Sequence, residues 1–262
     1  MKKLLLLACV CMSVFTFQSC SKDDGDDKTN STTSTTGNQP GAGITFTGQG
    51  NLRLSVGHTF GNVPLQAAPA TYTTTANDTV KITELRYYIS HVTLTTAAGN
   101  KVNLENHNLL DYTPGQNTEI TLQNVPAGTY TSISYIIGVD SVSNSSGAQV
   151  GDLDPSNGMF WTWNTGYVFF RLKGRYGASN NSYSFDIGGG NNRMFATHSL
   201  SAYNVSGTSV TATLSFDVSR VFNAPNVYDL KVDVDEIHTS GSPALLKLKP
   251  NVEGAFALTG VQ

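Results

Sequence analysis

From Ile44 to Gln262 no window of about 12 residues repeats its apolar side chains with the helical period, while Thr, Val, Ile, Tyr and Phe recur throughout. A chain with that pattern buries its apolar groups on pleated strands. The fold predicted is all-β: a single large antiparallel β-sandwich with long structured loops, over residues 44–262. Residues 79–96 read as a long central strand, followed by a turn at Ala98, Gly99, Asn100 and Lys101. In that strand Leu85, Tyr87, Ile89 and His91 are expected on one face, with Tyr88, Val92 and Leu94 on the other. Apolar groups on both faces predict a strand buried on both sides. Pro126 and Gly128 suit a tight turn between strands at 119–122 and 130–137. Val210, Ala212, Leu214, Phe216 and Val218 alternate with Thr, Ser and Asp, as in a half-solvated strand. Residues 227–237 and 255–261 are expected as closing strands.

Residues 1–19 carry Lys2 and Lys3, then the apolar Leu4 to Phe17, and end just before Cys20. This is the pattern of a bacterial lipoprotein signal peptide, with Cys20 as the lipidated residue. Cleavage there removes Cys9 and Cys11 and leaves no thiol for a disulfide or a metal. The expected location is the outer membrane of a Gram-negative bacterium, periplasmic or surface-exposed, with the lipid on Cys20 holding the chain to the membrane. Without Lys2 and Lys3, 14 basic residues remain against 19 acidic ones, which gives no reason to expect nucleic-acid binding. Residues 20–43 are polar and almost free of apolar side chains, so they read as a flexible tether.

Residues 138–174 hold both tryptophans and a cluster of oxygen-bearing side chains. Asp140, Asn144, Asp152 and Asp154 lie on a Gly- and Ser-rich loop, a composition that suits calcium. The same groups also suit caps that bind their own backbone. Phe160, Trp161, Trp163 and Tyr167 follow; they are core aromatics or, if exposed, a stacking platform for glycan. On a strand Trp161 and Trp163 would share a face.

The motifs GVD at 138–140, LDP at 153–155 and MFWTWNTGY at 159–167, with LRYYISHVTL at 85–94 and His58 in GHTFGNVPL, resemble the MbnP-like copper-binding protein family. The resemblance runs over roughly residues 45–262 and implies a secreted or surface β-sandwich that handles copper. Some relatives convert a tryptophan to kynurenine with a partner di-haem enzyme, so the resemblance also implies such a partner. Where relatives show His-Ile-Gly-Gly, this chain reads Asp186-Ile187-Gly188-Gly189. An oxygen there in place of nitrogen is a harder donor and weakens a copper(I) site.

The sequence shows no HExxH, GxSxG, P-loop or dinucleotide glycine signature. The resemblance, with the lipoprotein signal and the absence of these motifs, implies non-catalytic copper binding or handling by an outer-membrane lipoprotein. The alternatives are a glycan-binding or adhesive module using the Phe160–Trp163 aromatics, and a calcium-stabilised structural surface protein. Without thiols, copper needs imidazole, with a carboxylate or a modified aromatic as the candidate helper. His58, in a Gly-bounded turn, ranks first, His91 second, and Asp186 is the third candidate ligand. His198 reads as a core residue, and His107 and His238 as surface residues.

Overall fold

The computed structural model describes residues 48–262, apart from 113–118, 164–165, 206–208 and 239 and the side chains of 201–203. The signal segment, Cys20 and the tether lie outside these residues. The strands are β1 (Gln49–Phe60), β2 (Val63–Pro64), β3 (Tyr72–Thr73), β4 (Thr79–Thr96), β5 (Lys101–Asp111) and β6 (Glu119–Pro126). They continue as β7 (Gly128–Ile137), β8 (Phe160–Trp161), β9 (Gly166–Tyr176), β10 (Asn181–Gly188) and β11 (Met194–Val205). The last are β12 (Ser209–Asp217), β13 (Glu236–Ile237) and β14 (Phe256–Val261). Three helices are short: α1 (Ser141–Ser145), α2 (Val218–Asn223) and α3 (Leu245–Glu253).

The strands form two sheets. One runs β14-β12-β1-β2 with β6 also on β1; the other runs β11-β7-β4-β9-β10-β13 with β3, β5 and β8 attached. Residues of both sheets, among them Leu54, Leu214, Tyr87 and Phe170, join in one buried apolar core. The all-β fold is as the sequence predicts. Two pairings, β1 with β12 and β10 with β13, are parallel. Two further details differ from the sequence reading. Residues 227–237 are mostly turns, with strand only at β13. The helix α3 carries Pro250 inside it, which hides its pattern from a helix search.

Two irregularities in β4 decide where the side chains point. The strand changes partner between Tyr87, opposite Phe170 of β9, and Ile89, opposite Ile137 of β7. Just beyond, the registers to β5 and β7 both slip after Ser90, and His91 takes φ +50°. This is a β-bulge, which places one extra residue in a strand and shifts alternation. Leu85, Tyr87 and Ile89 face the main core as expected, but Val92 and Leu94 face it too, and His91 leaves that face. The side chain of Asn106 fills the gap in the ladder: its Oδ1 accepts from Val92 N–H at 3.1 Å, and its amide donates to Ile89 O at 3.3 Å. Burying Val92 and Leu94 contributes about 1.5–3 kcal/mol each, against about 1–2 kcal/mol for a left-handed residue. The bulge is therefore net favourable.

A second, smaller core lies on the other face of β4. Tyr88, Val139, Leu153, Met159, Trp161, Tyr167, Val168 and Phe169 pack there, under the loop that follows β7.

Candidate metal centre

The loop leaves β7 at Gly138, whose φ is +132° and whose missing Cβ would stand 2.9 Å from the Phe169 ring. Any side chain there would displace a packed aromatic in addition to straining the backbone. Gly138 N–H donates to Tyr88 O at 2.9 Å, and Ser90 Oγ donates to Gly138 O at 2.7 Å. These two bonds tie the start of the loop to β4 beside the bulge. Two residues on, Asp140 caps α1: its Oδ1 accepts from Val142 N–H at 2.9 Å and from Ser143 N–H at 3.1 Å.

The other oxygen of Asp140 faces two imidazoles. His107, on β5 opposite Ser90, places Nε2 2.8 Å from Asp140 Oδ2. His91, turned out by the bulge, places Nε2 3.2 Å from the same oxygen, without the alignment of a hydrogen bond. The two rings stand edge to face with centroids 5.3 Å apart. One ligand atom from each of the three residues lies within 4.8 Å of the others. Metal–nitrogen and metal–oxygen bonds of about 2.0–2.1 Å set neighbouring donors roughly 2.9–3.4 Å apart. The two measured separations fall in or next to that range.

The electrostatics fit a cation. Burial pushes the Asp140 carboxyl up, but bonds from Ser143 and contacts from His107 and His91 outweigh it and hold the group well below the usual carboxylate range. Asp140 is therefore an anion at neutral pH, sharing one oxygen between two groups that bind metals when neutral. The donor set is two borderline nitrogens and one hard oxygen, which suits copper(II) or zinc better than copper(I) or calcium.

His58 and Asp186 are not part of this cluster. His58 is buried in the main core, with Nε2 2.8 Å from Tyr87 Oη and its ring 4.7 Å from that of Tyr112. Its neighbouring glycine does not loosen the backbone, because Gly57 lies within β1. Asp186 is held by Arg171, whose Nε and Nη2 donate to its two oxygens at 2.6 and 3.0 Å, and His238 Nδ1 lies 3.2 Å from it. A carboxylate closed from two sides by a guanidinium is a poor ligand for a metal. His198 meets Tyr135 Oη at 3.0 Å.

The loop oxygens proposed for calcium each have a backbone donor instead. Asn144 Oδ1 accepts from Tyr167 N–H, Asp152 Oδ2 from Leu109 N–H and Asp154 Oδ1 from Ser156 N–H, at 2.8, 2.9 and 2.8 Å. Of the four, Asp140 alone turns an oxygen toward other ligating groups. The aromatics also divide. Trp161 and Tyr167 are buried and Phe160 is half-buried, but β8 ends at Trp161, and Trp163 in the following turn is 64 % exposed. The two indoles remain in contact, 5.4 Å between centroids.

His107 is the residue that sequence reasoning passed over. Between Leu104 and Leu109 it lies among Glu105, Asn106 and Asn108, a polar run that reads as a turn. Its partner is 33 residues away.

Comparison with known proteins bears on the whole domain. No curated protein matches the chain. A solved structure, MbnP from Methylosinus trichosporium, matches with a TM-score of 0.51 at 15 % identity, over 79 % of this chain and 97 % of that one. At that identity the likeness is one of fold. The MbnP family model matches residues 49–239, which takes in every element of the centre described above. The chain belongs to the MbnP family.

Proposed function

We propose that this protein is a non-catalytic copper-handling protein of the outer membrane, held there by a lipid on Cys20. Its metal centre is His91, His107 and Asp140. Membership of the MbnP family supports a copper-related role in general terms. The observation that carries the specific reading is the convergence of two imidazoles and an ionised carboxylate within 4.8 Å. Copper(II) binds such nitrogen and oxygen sets more tightly than the other divalent ions of its row, zinc included. The residues fit copper(II) here, whereas Asp186, occupied by Arg171, does not.

The test is equilibrium dialysis of the tether-plus-domain protein with one equivalent of copper(II) at neutral pH. Wild type and His58→Ala should retain the ion alike. His91→Ala and His107→Ala should each weaken retention at least tenfold, as loss of one of three ligands requires. Retention unchanged in both of those variants would remove the assignment.

A further inference from the structure

Two cross-strand pairs on the outer face of the larger sheet bring like charges together, and they are treated differently. Arg86 of β4 stands opposite Arg171 of β9. Each is answered by an acid: Arg86 Nε lies 2.9 Å from Asp111 Oδ2, and Arg171 donates to both oxygens of Asp186. Nearer the other end of the same two strands, Lys81 stands opposite Arg175. Neither has an ion pair among the described residues, and Lys81 Nζ meets the neutral Asn180 Oδ1 at 3.3 Å. Arg175 is exposed and Lys81 is half-buried. Like charges directly opposite on a sheet repel. Neighbouring strands stand about 4.8 Å apart, so this pair offers two cations to one anion from outside the domain. Lys173, two residues along β9 on the same face, lies 4.0 Å from Glu84 and 3.9 Å from Asp186, beyond hydrogen-bond reach of either.

The neighbouring side chains indicate what carries the anion. Ser182 stands opposite Arg175 on β10, and the turn before it holds Ser179, Asn180 and Asn181, all exposed. These are neutral donors and acceptors of the kind that bond sugar hydroxyls. Among the described residues no large exposed apolar side chain belongs to β4, β9 or β10. The face thus lacks the anchors that a protein partner or a bilayer engages. From Ile44 to Gln262 acidic residues outnumber basic ones by 15 to 12, so the domain as a whole does not attract a polyanion such as nucleic acid.

We propose that this face binds an acidic polysaccharide. Lys81 and Arg175 take one carboxylate between them, Asn181 and Ser182 bond the hydroxyls of the sugar beside it, and Lys173 meets a further acid of the same polymer. Each contact is weak, and several on one polymer reinforce one another. His91 lies ten residues further along β4, roughly 33 Å at about 3.3 Å per residue. The surface is therefore separate from the metal centre and does not depend on it.

The probe is polygalacturonate, a polymer of uronic acid, immobilised for surface plasmon resonance at ~50 mM salt, where exposed charges are weakly screened. Dextran is the uncharged control and double-stranded DNA the polyanion without uronic acid. The tether-plus-domain protein should bind polygalacturonate and not dextran. Replacing Lys81 and Arg175 together by Gln should weaken binding about tenfold or more, whereas Arg175→Lys should stay within about threefold of wild type. Lys101→Gln, in the exposed start of β5, should change nothing. The urea midpoint of the double variant should be no lower than that of wild type, because the substitution removes a repulsion. Absence of binding, binding unchanged in the double variant, an equal loss in Lys101→Gln, or DNA held as tightly as polygalacturonate would each overturn the proposal. A lowered urea midpoint would do so too, since it would mean that the pair is held by a partner within the fold.

Discussion

Arg171 closes on Asp186 with two of its nitrogens, while its third nitrogen reaches Gly158 O at 2.9 Å and lies 3.5 Å from Glu84 Oε1. One guanidinium thus joins β9, β10, β4 and the loop just before β8. The Asp186 side chain is only 4 % exposed. Removing the cation leaves a buried carboxylate with Lys173, 3.9 Å away, as its remaining cationic neighbour and the His238 ring at 3.2 Å. Arg171→Ala should cost about 3 kcal/mol in urea unfolding, with copper retention unchanged. Loss of copper in that variant, at a concentration where it is folded, would place Asp186 back in the metal site.

His58 gives the fold a pH dependence. Burial lowers its pKa from 6.5 to about 4. Between those values the unfolded chain takes up a proton that the folded chain does not. Stability is therefore full above about pH 6.5 and falls as pH drops towards 4, by about 2 kcal/mol at pH 5. Burial also lowers the pKa of His198, which acts in the same direction. His58→Gln, which keeps a partner for Tyr87 and does not titrate, should flatten the slope between pH 7 and pH 5. An unchanged slope would mean that His58 is not the buried neutral group described.

The two tryptophans should separate cleanly. Trp161 packs against Gly188 and Gly189, so Trp161→Ala opens a cavity and should cost about 3–5 kcal/mol. Exposed Trp163→Ala should stay within about 0.5 kcal/mol of wild type. Acrylamide quenching of fluorescence should be strong in Trp161→Phe, where only Trp163 emits, and weak in Trp163→Phe. Equal quenching in both would contradict the burial.

His91 sits in the left-handed region that favours glycine. His91→Gly should therefore raise stability by about 1 kcal/mol and abolish copper retention together. A fall in stability would show that the ring, rather than its aim at Asp140, is what the bulge requires.

For the anchor, Cys20→Ser should move the protein from the membrane fraction to the soluble one. Fractionation that does not change would rule out lipid on Cys20 as the attachment.

Much of the fold is legible because it rests on local signals. Thr79–Thr96 is read from its alternating β-branched and aromatic residues, and the β6–β7 turn from Pro126 and Gly128. The centre is legible only in part. His91 and Asp140 stand out, one as an imidazole in an apolar strand and the other as an acid opening a Gly- and Ser-rich loop. His107 does not, because its role depends on β5 lying beside the bulge, a contact no local pattern encodes. His58 misleads in the opposite way. The glycines around it suggest an irregular turn, yet β1 runs through Gly57 in a parallel ladder with β12, where the lack of a side chain is tolerated. The face of Trp163 depends on where β8 stops.

The apolar positions of β4 run 80, 82, 85, 87, 89, 92 and 94. They break phase twice, at Thr83, where the register to β9 slips, and at His91. With those two residues set aside, the alternation from Val80 to Leu94 is continuous. His91 is supernumerary: it fills no place in the hydrophobic code of its strand. A lineage could gain, exchange or discard this imidazole while every core position kept its side chain, so the cluster of His91, His107 and Asp140 can change independently of the architecture that carries it.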